Sequence, residues 1–185
     1  MKHKHLYIFT INILFALVAV VLAAGCKTVD KLTHFNMDYG ETITIPSTIG
    51  INLPFNLITP NIRTNSEETF QINDTRKDLI EQIVLNELDL SMISPQNADF
   101  SFLKSIEVYI SADGLDEIKV AWKYDITDDT GTSIKLETAG YDLKDYIKKD
   151  EFILKLTTVT DELILSDYDV EVKAKFFVDA NILGI

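Results

Sequence analysis

The run Ile106-Glu107-Val108-Tyr109-Ile110-Ser111-Ala112-Asp113-Gly114, continued by Ile118-Lys119-Val120-Ala121-Trp122-Lys123-Tyr124-Asp125-Ile126, decides the fold class. Apolar residues occupy every second position in both halves, the period of a strand with one face buried. Ala112-Asp113-Gly114 supplies a turn between them. Asp128-Asp129-Thr130-Gly131 supplies another before Ile134 and Leu136 resume the alternation. Three antiparallel strands in a meander are therefore expected at the centre of the fold. On this alternation Trp122 points inward, where its ring would anchor the core.

Working outward, the same period returns on both sides. Toward the C-terminus, Leu143, Tyr146 and Ile147 fit a short helix between Gly140 and Asp150. Two long strands then follow, one with Phe152, Leu154 and Leu156 inward, the other with Tyr168, Val170, Val172, Ala174, Phe176 and Val178 inward. Phe177 breaks the polar face of the last strand and marks either a partner surface or a site covered by the Ile182-Leu183 tail. Toward the N-terminus, Leu88, Leu90 and Met92 alternate up to Ser94-Pro95, and Phe100 and Leu103 are expected to plug one end of the core. Leu79, Ile80, Ile83 and Val84 recur at helical spacing after Asn73-Asp74, which predicts a helix of two to three turns, with a short strand at Phe70 and Ile72 before it. Thr42 to Ile45 and Ile49 to Leu57 alternate again, but Pro46, Pro54 and Pro60 cannot donate to a ladder and confine this segment to a sheet edge or to bulges. About eight one-sided strands, one or two short helices and no βαβ rhythm predict an all-β fold, an antiparallel β-sandwich over residues 40–185.

The beginning of the chain has a different character. Lys2 and Lys4 precede an apolar run from Leu6 to Ala24 that ends in small residues, the order of a secretory leader. Cys26, the only cysteine, follows Ala23-Ala24-Gly25 directly. This segment resembles the lipobox of bacterial lipoproteins, with Ala23 in the place where leucine is most frequent and Leu22 one position earlier. The resemblance covers residues 1–26 and implies that the Cys26 sulfur carries a diacylglyceryl group, that residues 1–25 are removed, and that the protein is anchored in a membrane. Lys27 stands where aspartate would retain a lipoprotein at the inner membrane, so the resemblance implies the outer membrane, on its periplasmic or surface face. Read without the resemblance, Leu6 to Ala24 would span about 28 Å as an uncleaved helix, which also places the rest outside the cytoplasm. Residues 26–39 carry no sustained apolar period and are expected to form a flexible tether, with His34 solvated.

Composition narrows the remaining chemistry. The leader holds two of the 17 basic residues and none of the 29 acidic ones, so residues 26–185 have a net charge of −14. Such a surface disfavours nucleic acid as a partner. With one cysteine and one histidine beyond the leader, neither a cysteine or histidine zinc site nor a cysteine–histidine nucleophilic pair assembles within the chain. No serine sits in Gly-x-Ser-x-Gly, and no glycine-rich phosphate loop occurs. Asp125, Asp128 and Asp129 form the one acidic turn to weigh as a calcium site. Counted from Asp125, Gly131 and Glu137 each fall one place beyond the loop positions a helix-loop-helix site requires, so a hairpin turn is the simpler reading. No catalytic residues and no cofactor are expected. Two functions remain: a non-catalytic structural or protein-interaction module at the envelope, with an exposed patch around Tyr109 or Phe177, or a carrier whose strands enclose an apolar cavity lined by the Ile51 to Leu57 stripe.

Overall fold

The computed structural model describes residues 34–47, 52–127 and 129–181. Cys26, the leader, Asp128 and the Ile182-Leu183 tail lie outside them. Ten strands occur among the described residues: β1 (His34–Ile45), β2 (Pro54–Ile58), β3 (Ile62–Arg63), β4 (Ile80–Ser94), β5 (Leu103–Ala112), β6 (Ile118–Lys123), β7 (Ser133–Lys135), β8 (Glu137–Thr138), β9 (Glu151–Thr160) and β10 (Tyr168–Ala180). Helix α1 (Ser66–Ile72) and a 3-10 turn (Lys77–Leu79) precede β4, and α2 (Lys144–Ile147) precedes β9. One sheet runs β1-β10-β4-β7, and the other runs β2-β9-β5-β6-β8 with β3 also on β9. This is the all-β sandwich that alternation predicts. The two extra strands beyond eight are the two-residue pairings β3 and β8.

The core lies between the sheets, with Phe70, Phe100, Phe152 and Phe176 among its fully buried side chains. Phe152 and Phe176 meet edge to face at 5.9 Å, and Tyr39 packs on both at 5.2 and 5.6 Å. Edge-to-face contact suits the ring quadrupoles and joins β1, β9 and β10 across the sandwich. The predicted plug is also present: Phe100 and Leu103 are buried, with Phe102 stacked on Phe100 and edge-on to Tyr168. Strand β2 lies at the edge of its sheet, where Pro54 requires no donor.

Four expectations need correction. First, the tether does not extend to Tyr39. Strand β1 begins at His34, because Phe35, Met37 and Tyr39 already alternate and pack on the core, and the Tyr39 hydroxyl donates to the Thr64 carbonyl at 2.8 Å. Second, helix and strand are exchanged around residue 75: Phe70 and Ile72 belong to α1, and the expected helix is the first half of β4. The β4–β10 register shifts between Lys175 and Phe176 and between Asp179 and Ala180. Each bulge adds a residue, so the buried positions fall at Ile80, Ile83, Leu85, Leu88 and Leu90, and the gaps of three imitate a helical period.

Third, the three-strand meander is interrupted. β5 and β6 pair as expected around a turn in which Gly114 takes φ +71°, but the strand ends at Lys123 rather than Ile126. Asp125 then adopts φ 51°, and β7 crosses to the other sheet to pair Ile134 with Leu90. The chain returns at β8, which pairs Glu137 with Trp122. Fourth, Trp122 is not on the inner face. A bulge between Val108 and Tyr109 pairs Val108 with Ala121 and Tyr109 with Lys119, leaving Val120 as the additional residue. Val120 and Ala121 are therefore both buried, and Trp122 shares the outer face with its partner Glu107.

Candidate interaction surface

The outer face of the six-stranded sheet carries a polar network centred on Glu107. Its carboxylate accepts from the Tyr109 hydroxyl at 2.7 Å, from Lys119 Nζ at 3.0 Å and from the Tyr124 hydroxyl. Lys119 also lies over the Trp122 ring at 5.6 Å, and Lys155 covers the Tyr109 ring at 4.8 Å while pairing with Glu117. Hydrogen bonds from Tyr124, Tyr109 and Lys119 pull the Glu107 carboxyl down to about 2. The bond to Glu107 raises the Tyr109 phenol, and bonds to Tyr124 and Glu107 raise Lys119. The network ties Glu107 and Tyr109 on β5 to Lys119 on β6 and to Tyr124 just beyond it, bracing this face of the sheet.

The sequence-derived candidates are dispersed. Asp125 and Asp129 are both exposed, and the Asp129 carboxylate accepts from the Thr127 hydroxyl. Among the described residues no group of three or more His, Cys, Asp or Glu side chains is close enough to hold a metal ion. His34 is exposed at the start of β1. Tyr109 lies under Lys155, and Phe177 is part-buried opposite Val84, so the expected apolar patch is centred on neither. In the Ile51 to Leu57 stripe expected to line a cavity, Ile51 lies outside the described residues, Phe55 and Leu57 pack on the core, and Leu53 is exposed. A polar surface cleft of about 690 Å³ lies between Arg63, Ser66, Glu67, Asp113 and Lys149. Among the described residues no helix is long and apolar enough to cross a membrane.

Exposed apolar surface gathers at one end of the sandwich, a place that alternation did not identify. The loop Asp161-Glu162-Leu163-Ile164-Leu165-Ser166-Asp167 joins β9 to β10. Ile164 is buried, whereas Leu163 is 62% and Leu165 92% exposed. The buried isoleucine holds the loop down and directs both leucines to solvent. Leu53, 64% exposed, joins this end through the Asn52 N–H to Thr160 carbonyl bond at 2.7 Å, and Ile93 is exposed near the end of β4. Polar staples fix the rim: Asp169 accepts from Thr44 at 2.8 Å and from Ser94 at 2.9 Å, and Asp167 accepts from the Ser47 N–H at 2.9 Å. The two bonds to Asp169 lower its carboxyl. A sequence signal was present, since Leu163-Ile164-Leu165 is an unbroken apolar triplet within an acidic turn.

No family model and no curated protein matches the chain. Among solved structures it is similar to the decameric BFDV capsid protein, with 7% identity and a TM-score of 0.36 over 80% of this chain and 99% of that one. It is also similar to FLHE, with 6% identity and a TM-score of 0.29 over 79% and 98%. A third likeness is to the capsid of Helicobacter pylori bacteriophage KHP30, with 8% identity and a TM-score of 0.32 over 78% and 92%. At these scores the likenesses carry no argument about what this chain does.

Proposed function

We propose that this protein is an envelope lipoprotein, anchored in the outer membrane through Cys26, whose sandwich serves as a non-catalytic structural or protein-interaction module. The anchor rests on the leader and on the lone cysteine directly after Ala-Ala-Gly. Several acyl chains on one lipidated cysteine hold a protein at a bilayer far more firmly than a single chain. The observation that supports an interaction role over a carrier role is the sandwich end at Leu163 and Leu165, where apolar side chains are held out to solvent while the aromatic core is packed. Domains that bind other macromolecules commonly present such surface, whereas a carrier turns it inward.

Metabolic labelling with a fatty-acid analogue tests the anchor. Wild type is expected to take up label and sediment with outer membranes, and Cys26→Ala to do neither. An unlabelled, full-length wild-type chain in the soluble fraction would refute the reading. Native mass spectrometry of wild type released from membranes tests the module, since a co-purifying lipid held stoichiometrically beyond the covalent acyl chains would replace it with a carrier.

A further inference from the structure

We infer that the loop tip of Leu163 and Leu165, with Leu53 beside it, is a docking surface for a protein partner that offers an apolar pocket with a lysine- and arginine-bearing rim. The inference rests on the interaction-module reading and names its surface and partner. Leu165 is 92% exposed although the neighbouring Ile164 is buried, so the loop is ordered from beneath while its apolar side chains face water. With Ile164 buried beneath the loop, docking has to order the projecting leucine side chains but not the segment that carries them.

The kind of partner follows from charge. From Leu156 to Val172 there is no lysine or arginine, while Asp161, Glu162, Asp167, Asp169 and Glu171 are all acidic. The neighbouring segments Thr42 to Ser47, Asn52 to Ile62 and Asp78 to Leu103 also carry no base. Lys104 and Lys123 stand on β5 and β6 at this end, leaving carboxylates in clear excess around the leucines. Such a rim repels anionic lipid headgroups and is complementary to a basic protein surface. Within the sandwich, β1 reaches the tip at its C-terminal end, where Thr44 and Ser47 donate to Asp169 and Asp167.

The test places a photo-activatable amino acid at the exposed position Ser166 of the full-length chain and irradiates intact cells. The expected product is a protein adduct whose cross-linked peptide combines apolar residues with flanking lysine or arginine. Leu163→Ser with Leu165→Ser is expected to reduce that adduct at least tenfold, and Asp161→Lys with Glu162→Lys at least fivefold. Because all four side chains are exposed, urea midpoints should stay at the wild-type value, which separates lost docking from lost folding. A phospholipid adduct, an adduct with a second copy of this chain, no adduct, or a protein adduct indifferent to the leucine variants would each overturn the inference. Fatty-acid labelling of Cys26 in the same cells keeps failure of the tip distinct from failure of the anchor.

Discussion

Substituting Ala121 and Trp122 in parallel tests the bulge that sets the phase of the six-stranded sheet. Ala121 is fully buried opposite Val108, whereas Trp122 lies on the outer face opposite Glu107 and beneath Lys119. Ala121→Lys forces a long side chain into packed space, costing about 1–3 kcal/mol, and adds several kcal/mol for removing an ammonium from water. A total of about 5 kcal/mol is comparable with the whole stability of a small domain. Trp122→Gln forfeits apolar contact on a face that solvent can refill. Roughly 80 Å² at about 25 cal/mol/Å² gives about 2 kcal/mol, with no sealed cavity left behind. Unbroken alternation reverses the order: Ala121→Lys would be almost silent, and Trp122→Gln would cost about 3–5 kcal/mol plus the burial of an unpaired amide. Urea denaturation followed by far-ultraviolet circular dichroism reads both variants without relying on the lost indole. A Trp122→Gln midpoint below that of Ala121→Lys would refute the bulge.

Three further outcomes follow from the same structure. Glu107 has a lower pKa folded, at about 2, than its ordinary 4.5, so it contributes stability above about pH 4.5 that disappears as pH falls toward 2. Solvent screening at this partly exposed site limits the contribution to about 1 kcal/mol, and the midpoint difference between wild type and Glu107→Gln should close over that window; a gap that persists at pH 2 argues against the network. The Thr158 hydroxyl is buried with no hydrogen-bond partner among the described residues, so Thr158→Val should be neutral or stabilise by up to about 1 kcal/mol, and a clear loss in the same urea assay would reveal a partner for it. Tyr39→Ala removes a ring packed on Phe152 and Phe176 and should cost about 3 kcal/mol, whereas a solvated tether ending at Tyr39 would leave the midpoint unchanged.

The sequence by itself determined the kind of structure and much of its burial. Period-two runs in β9 and β10 placed Phe152, Leu154, Val172 and Phe176 in the core, and the prolines around β2 placed that strand at an edge. These signals are local, because the pleat turns successive side chains to opposite faces wherever the strand pairs. Tertiary structure decided what depends on distant partners. The bulges in β4 and in the β5–β6 pair arise from register with another strand, so one produced a false helical period and the other moved Trp122 outward. The transfer of β7 to the other sheet has the same origin, since a turn signal marks where a strand ends without specifying which edge receives the next one. The candidate surface was legible only in composition: Leu163-Ile164-Leu165 reads as one apolar triplet until packing buries its middle residue and leaves the outer two in water.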